Sequence, residues 1–237
     1  MLWTLGEICG ALGVAVPSES DAGLAVTGVS IDSRTVVAGD VFVALKGTPG
    51  GGFVSSFGSA GDGHDYVKMA IEKGTVAVIV DHEMAGVTVP QIVVPCTHME
   101  GLWKLGEAAR TRFEGLVIGL TGSAGKSGTK ELLAALLDAP ASVGSYNNFW
   151  GVPLTLARLD PLAKFAVLEM GMNQVGEMAR LSALVRPHVA VVVNVLPVHL
   201  EHIGSLEGIR QEKLSIAAGL VEEGLLVLPE GLSAQES

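Results

Sequence analysis

Gly119-Leu-Thr-Gly-Ser-Ala-Gly-Lys-Ser127 is the stretch of sequence that decides the fold. An apolar run at 116–120 precedes it and predicts a strand, and the pattern over 126–137 predicts a helix. A glycine-rich turn between a strand and a helix is typical of a phosphate-binding loop, because its backbone amides and the helix N-terminus attract anions. In such a loop Lys126 would reach the phosphates and Ser127 would ligate Mg²⁺.

The glycine spacing departs from the strict form of this motif. The strict pattern requires glycine five residues before Gly125, where this chain has Leu120. A glycine-rich turn with an incidental lysine therefore remains an alternative from the spacing alone. We favour the nucleotide loop, and the residues predicted to form it are Gly122, Ser123, Ala124, Gly125, Lys126, Ser127 and Gly128.

Strands and helices alternate through the second half of the chain. Predicted strands at 165–168, 189–193 and 225–228 alternate with predicted helices at 175–185 and 206–220. Apolar strands in this order favour a parallel sheet covered by helices. A helical pattern over 98–113 opens this part, so we predict a second domain at 98–237 with an incomplete end.

The first half reads as a separate, small α/β domain at 1–97. A helix is predicted from Thr4 to Leu12, and later strands at 26–31, 41–45, 76–80 and 91–94, with a helix over 65–73. The glycine- and serine-rich stretch 48–63 predicts a flexible loop. The fold class is therefore α/β, with a small α/β domain followed by a P-loop-type parallel-sheet domain.

Charge and hydropathy exclude several classes of partner. The chain has 25 acidic and 15 basic residues, a net charge of -10, and no basic stripe, which excludes nucleic-acid binding and anionic membrane surfaces. The most apolar stretch, 189–198, is interrupted by Asn194 and Pro197 and is too short to span a bilayer. Cys9 and Cys96 lie far apart and read as thiols of a reducing compartment, so a cytoplasmic location is expected.

Polar residues follow the predicted strands of the second domain. Glu169, Asn194 and His199 come at or after strand ends, where ligands of parallel sheets gather. A carboxylate there could complete a magnesium shell begun by Ser127, although a strand-end charge also occurs without any ligand. His199 and His202 fit no zinc spacing, and we favour His199 alone as functional.

Motifs in a recognisable order extend this interpretation to most of the chain. They are Ser30-Ile-Asp-Ser-Arg34, Gly39-Asp-Val-Phe-Val-Ala-Leu45, Asp62-Gly-His-Asp65, Thr121-Gly-Ser-Ala-Gly-Lys-Ser127 with Lys130-Glu131, Asn147-Asn148, Gly151-Val-Pro-Leu-Thr-Leu156, Glu169-Met-Gly-Met-Asn173, Asn194, Pro197, His199-Leu200 and Gly204-Ser-Leu-Glu-Gly208. In these motifs the chain resembles the Mur ligases of peptidoglycan synthesis. The resemblance also accounts for the departure from the strict loop pattern.

The resemblance implies an ATP- and Mg²⁺-dependent amide-bond ligase. Asn147-Asn148 followed by the Gly151 motif implies that D-alanyl-D-alanine is added to UDP-N-acetylmuramoyl-tripeptide through an acyl phosphate. Residues 1–97 would bind the UDP-N-acetylmuramoyl substrate and 98–237 would bind ATP. The family's C-terminal domain is expected to be absent, so the chain is expected to be a truncated monomer without full turnover alone.

The resemblance also assigns roles to single residues. Those implied are Lys126 on the phosphates, Ser127, Glu169 and His199 on Mg²⁺, Lys213 as a carbamylated lysine, Ser33 and Arg34 at the uridine end, and Asn148 and Asn173 at the substrate or its metal shell. Without the resemblance, Lys213 would be interpreted as a solvated lysine. Two departures from the family pattern are Gly128, where threonine or serine is usual, and Phe149-Trp150 after the asparagine pair.

Other functions remain open at this point. A different P-loop enzyme, such as a kinase or GTPase, has no need of the block at 30–34. A folate polyglutamate ligase would also lack the first domain. A fragment that binds nucleotide and UDP-sugar without turnover is the non-enzyme alternative.

Overall fold

The computed structural model describes residues 1–47, 61–94, 98–198 and 200–232 of the chain. Most of the predicted loop 48–63, together with Cys96, His199 and the side chain of His202, lies outside the described residues. The chain forms two compact units, 1–108 and 109–237. No helix among the described residues is long and apolar enough to cross a membrane.

The first unit contains a parallel sheet of four described strands. Its elements are β1 (Trp3–Thr4), α1 (Leu5–Leu12), a 3₁₀ turn (Glu19–Asp21), β2 (Ala25–Val26), β3 (Gly28–Ser30), β4 (Asp40–Val43), a second 3₁₀ turn (Gly63–Tyr66), α2 (Val67–Glu72), β5 (Ala77–Val80), β6 (Gln91–Val93) and α3 (His98–Arg112). The sheet order is β3-β4-β5-β6, and β1 pairs antiparallel with β2. The division between the units falls inside α3.

Local sequence signals explain how the first unit begins and where its core lies. Thr4 caps α1, because its hydroxyl accepts from the Glu7 amide while the Glu7 carboxylate accepts from the Thr4 amide. Every residue of β4 and β5 is buried, as expected of strands covered on both faces. Phe42 and Val78 belong to a core cluster that also includes Val67 of α2.

The second unit contains the other parallel sheet. Its elements are β7 (Leu116–Thr121), α4 (Lys126–Leu137), α5 (Gly151–Ala157), β8 (Phe165–Glu169), α6 (Glu177–Val185), β9 (Val189–Val192), α7 (Leu200–Ile203), α8 (Leu206–Leu214), a 3₁₀ turn (Ser215–Gly219) and β10 (Leu225–Val227). The sheet order is β8-β7-β9-β10, with parallel pairing throughout. The chain runs from β7 to β8 on one side and then to β9 on the other. Strand order therefore reverses at β7, where ligands bind in open α/β sheets.

Two elements differ from the sequence prediction. No helix is predicted at 151–157, but the structure has α5 there, with every residue buried, and Pro153 lies in the first turn, where proline is tolerated. The helix predicted over 206–220 is α only to Leu214. Ser215 then donates its hydroxyl to the Glu212 carbonyl, and the chain continues as a 3₁₀ turn.

Helix α6 is held at both ends by charged side chains from other helices. The buried Glu212 carboxylate accepts from the amides of Gly176 and Met178, both at 2.8 Å. At the other end Arg110 donates to the carbonyls of Val185 and Arg186 at 2.6 and 2.7 Å. Burial lowers the pKa of Arg110 to about 10, with a smaller effect from Arg186. These contacts satisfy backbone groups that a helix end leaves unpaired.

Close packing fixes the segment that follows α8. A Cβ atom at Gly219 would lie 2.0 Å from the Ser182 carbonyl oxygen, so α6 and this turn approach too closely for any side chain there. The Ser182 hydroxyl also donates to the Ile216 carbonyl. These contacts fix the turn that follows α8, the helix that carries Lys213, against α6.

Candidate nucleotide-binding site

The glycine-rich loop connects β7 to α4, as predicted from the sequence. Gly125 precedes the first helical residue with φ +77°, a left-handed conformation that favours glycine. The first helical hydrogen bond runs from the Thr129 amide to the Gly125 carbonyl, so the amides before Thr129 point out of the helix end. Lys126 Nζ donates to the Gly122 carbonyl at 2.9 Å, which places the ammonium group against the loop.

Glu169 lies at the end of β8 and is joined to this loop. The Ser127 hydroxyl donates to Glu169 Oε2 at 3.0 Å. The Glu169 side chain is only 1% exposed, so it is not an ordinary solvated strand-end charge. The structure thus brings together the two residues that the sequence predicts as magnesium ligands.

Three further residues surround Glu169 and were not predicted as site residues. Asn147 Nδ2 donates to Glu169 Oε1 at 2.8 Å, and Ser142 accepts from the Glu169 amide at 3.2 Å. Lys130 Nζ lies 4.0 Å from Glu169 Oε2 and donates to the Gly144 carbonyl at 2.7 Å. Lys130 stands one helical turn after Lys126 and was quoted with the loop motif, but no role was predicted for it.

Asn194, just beyond β9, contacts the loop directly. Its Oδ1 atom accepts from the amides of Ser123 and Ala124, each at 3.0 Å, and Nδ2 donates to the Ala124 carbonyl at 3.0 Å. The sequence placed Asn194 at a strand end but gave it no partner. Its pairing with the loop follows from β9 lying beside β7 in the sheet.

Lys213 is buried in α8, 3% exposed, rather than solvated. Burial first, and the charge of Lys126 second, lower its pKa to about 8, while Glu212 acts in the opposite direction. A lysine with this pKa is partly neutral near pH 8 and can act as a nucleophile.

The two asparagines predicted to meet the substrate have structural partners in the described chain. Asn148 Oδ1 accepts from the Gly151 amide at 3.0 Å at the start of α5. For Asn173 the contact is made by the main chain, whose N–H donates to Glu177 Oε2 at 2.6 Å. Of the pair Asn147-Asn148, it is Asn147 that contacts Glu169. The substrate roles of Asn148 and Asn173 stay predictions.

The first unit places the residues predicted for the uridine end before β4. Ser33 is buried, and its hydroxyl donates to Met69 Sδ at 3.4 Å. Arg34 is exposed and forms an ion pair of 2.7 Å with Asp32, and this hydrogen bonding lowers the pKa of Asp32. Their roles in uridine binding stay predictions.

A polar cluster lies at the carboxyl ends of β4 and β5 in the same unit. Asp81 Oδ2 accepts from Lys46 Nζ at 2.6 Å, and Asp81 Oδ1 lies 3.1 Å from His64 Nε2 and 2.5 Å from His82 Nδ1. The rings of His64 and His82 stack at 4.8 Å. This cluster stands at the sheet edge where parallel sheets bind ligands.

The residues around Glu169 fit a magnesium ion. Mg²⁺ prefers oxygen ligands and binds through one or two carboxylates together with phosphate oxygens and water. The Ser127 hydroxyl and the Glu169 carboxylate provide such oxygens beside the loop. Asn147 fixes the carboxylate orientation from the opposite oxygen, as partners of metal ligands do.

Known proteins match both units. Residues 120–234 match the family model described as the Mur ligase middle domain. The UDP-N-acetylmuramoyl-tripeptide--D-alanyl-D-alanine ligase of Haemophilus influenzae is 35% identical over 216 residues, covering 88% of this chain and 45% of that protein.

Solved structures agree with this match. MurF from Acinetobacter baumannii has a TM-score of 0.80 at 30% identity, covering 96% of this chain and 49% of that chain. MurF ligase from Thermotoga maritima in complex with ADP has a TM-score of 0.67 at 31% identity, and the match covers 85% of this chain and 45% of that chain. The chain thus spans about half the length of the curated relatives that it matches. With its loop, its sheet order and these matches, the chain belongs to the Mur ligase family.

Proposed function

We propose that this chain carries the nucleotide site and the UDP-sugar site of a ligase that adds D-alanyl-D-alanine to UDP-N-acetylmuramoyl-tripeptide. The observation that carries the proposal is the contact between Ser127 and Glu169 beside a phosphate-binding loop. Relatives named for this reaction, at 35% identity, support the choice of substrates. The ADP complex of a similar MurF ligase supports the choice of nucleotide.

The reaction would make an amide bond by activating a carboxylate. The carboxylate of the tripeptide attacks the γ-phosphorus of ATP, ADP leaves, and an acyl phosphate forms. The amine of D-alanyl-D-alanine then attacks the acyl carbon, and phosphate leaves. Negative charge accumulates on oxygen in both steps, so positioned cations and amides lower the barrier.

Each part of the loop has a place in this scheme. Lys126 Nζ would exchange its contact with the Gly122 carbonyl for the β- and γ-phosphates. The amides at the start of α4 would receive phosphate oxygens. Ser127 and Glu169, with His199, would hold Mg²⁺, which supplies positive charge that offsets the charge on the phosphates.

The partly neutral Lys213 is the second catalytic group that we propose. Carbamylation joins the amine nitrogen to the carbon of CO₂ with loss of a proton, and gives an anion. Such a group would serve as an oxygen ligand for magnesium. In the first unit, Ser33 and Arg34 would bind the uridine end, and Asn148 and Asn173 would contact the substrate or its metal shell.

Calorimetric titration of the 237-residue chain tests the two sites. We expect it to bind ADP with Mg²⁺ and, separately, UDP-N-acetylmuramoyl-tripeptide. Lys126→Met should weaken ADP binding by at least about tenfold, because a phosphate-contacting cation is lost. Lys164→Met, at an exposed lysine, is the matched control and should bind ADP as the wild type does. A folded chain that binds neither ligand would refute the proposal.

Binding of nucleotide and UDP-sugar without turnover is a second candidate for this chain. The two candidates differ in one measurement. Phosphate release that depends on ATP, the tripeptide substrate and D-alanyl-D-alanine together supports the ligase. Binding of both ligands with no such release supports the binding function for this chain.

A further inference from the structure

Asn194 forms an unusually complete set of contacts with the loop. Its side-chain oxygen accepts two consecutive amides, those of Ser123 and Ala124, while its side-chain nitrogen donates to the Ala124 carbonyl, all at 3.0 Å. Its main-chain oxygen also accepts from the Ser123 amide at 3.2 Å. The oxygen and the nitrogen of the Asn194 side chain thus form their hydrogen bonds with the main chain of Ser123 and Ala124.

A second pair of contacts holds the same part of the loop. The Ser123 hydroxyl accepts from the Leu196 amide at 2.8 Å and donates to the Leu196 carbonyl at 3.1 Å. The segment 194–196 is itself anchored, because the Val193 amide donates to the Thr121 carbonyl at 2.8 Å. The side chains of Asn194 and Ser123 therefore both attach the loop at 123–124 to the segment that follows β9.

These contacts divide the amides of the loop into two sets. The amides of Ser123 and Ala124 are occupied by Asn194, whereas those of 126–128 open the helix and have no partner four residues earlier in it. Anions bind to amides of the second kind. A loop with glycines at 122 and 125 also loses much conformational freedom when it is ordered, and ordering before the ligand arrives removes that cost from binding.

We propose that Asn194 is a positioning residue that holds the phosphate loop in its anion-receiving shape before nucleotide binds. It acts through Ser123 and Ala124, and leaves the amides of 126–128 and Lys126 to the phosphates. This inference rests on the proposed nucleotide site. An aspartate at 194 would keep the acceptor but lose the donor to the Ala124 carbonyl, and would add negative charge beside the phosphates.

Hydrogen exchange of the nucleotide-free chain tests the positioning directly. In the wild type the amides of Ser123 and Ala124 should be protected. In Asn194→Ala the Ala124 amide should exchange at least about tenfold faster, while the amides of β7 keep their rates. The Ser123 amide should change less, because it keeps the main-chain oxygen of residue 194 as an acceptor. Unchanged exchange at Ala124 would overturn the inference, whether or not nucleotide binds.

Titration with ADP and Mg²⁺ tests the consequence for binding. Asn194→Ala and Asn194→Leu, neither of which adds charge, should each bind ADP at least about tenfold more weakly. The melting temperatures of both variants should match that of the wild type. A merely structural role would lower the melting temperature together with the affinity for ADP. Gln211→Ala, at an exposed amide on α8, is the control and should not change the affinity.

The outcomes separate this inference from the proposed function. If the wild type binds no ADP, the proposed nucleotide site fails, and the role of Asn194 in nucleotide binding fails with it. If the wild type binds ADP and a folded Asn194 variant binds it equally well, the inference alone fails. Should Asn194→Ala not fold, Asn194→Leu decides the question, because leucine keeps the size of the side chain but removes the acceptor and adds no charge.

Discussion

The Ser127 hydroxyl donates a hydrogen bond to Glu169 Oε2 at 3.0 Å, although 42 residues separate them in the chain. This bond joins the first turn of α4 to the end of β8. Both oxygens lie beside the loop that would hold the phosphates. Removing one oxygen should therefore affect metal-dependent binding more than binding in general.

Ser127→Ala should weaken ADP binding about tenfold in the presence of Mg²⁺, because one oxygen ligand is lost. In EDTA the variant and the wild type should bind ADP alike. Ser127→Thr keeps the hydroxyl and should bind as the wild type does. Calorimetric titration with and without metal provides the measurement, and an equal loss in both conditions would contradict a metal role.

Lys130→Met should lower the free energy of unfolding by about 3–5 kcal/mol, because it removes the buried cation that lies 4.0 Å from the buried Glu169 carboxylate. Urea unfolding measures the loss. Adding Glu169→Gln to Lys130→Met should recover part of the stability, since the uncompensated charge is then removed. Lys104→Met, at an exposed lysine, should change the stability by less than about 0.5 kcal/mol. Additive losses in the double variant would argue against coupling.

Lys213 should form a carbamate at mildly alkaline pH. With a pKa of about 8, about half of its amine is neutral at pH 8, whereas an ordinary lysine is about 0.3% neutral there. In ¹³C-labelled bicarbonate, NMR of the chain should show a carbamate carbon signal that disappears in Lys213→Arg. The signal should persist in Lys104→Arg. A spectrum unaffected by Lys213→Arg would rule out this site.

His188 should make the chain less stable as the pH falls below about 6.5. Burial first, and the charge of Arg110 second, lower the pKa of His188, so the folded chain keeps it neutral at pH values where the unfolded chain already takes up a proton. Its Nδ1 atom accepts from the Val117 amide at 3.0 Å, which a proton would prevent. Calorimetric melting at pH 7.5 and pH 5.0 should therefore show a larger drop for the wild type than for His188→Asn, which keeps an acceptor without titrating. Equal drops would contradict the assignment.

Local patterns were sufficient to predict the loop and the strand that ends at Glu169. The glycine spacing, the apolar run before it and the helical pattern after it lie within about twenty residues, where periodicity is informative. The start and end of α4 follow the prediction at Lys126 and Leu137. The metal pair could also be anticipated, because parallel strands end at one edge of a sheet.

The other contacts of the site depend on packing between distant segments. Asn147 could not be distinguished from Asn148 by sequence, because their difference is the direction in which each amide points. Lys130 belonged to the quoted loop motif but had no predicted role, because its burial depends on the chain between α4 and β8. Helix α5 was missed because a segment buried on every side shows no periodicity.

The attachment of Arg110 to the end of α6 affects how the chain folds during its synthesis. The guanidinium group is made 75 residues before the Val185 carbonyl that it binds. At typical translation speeds that interval lasts about 4–15 s. During this time the two carbonyl partners of Arg110 at the end of α6 do not yet exist, so the end of α3 cannot make its final contacts until α6 has been synthesised. The second unit should therefore complete its folding late, after most of its strands have been translated.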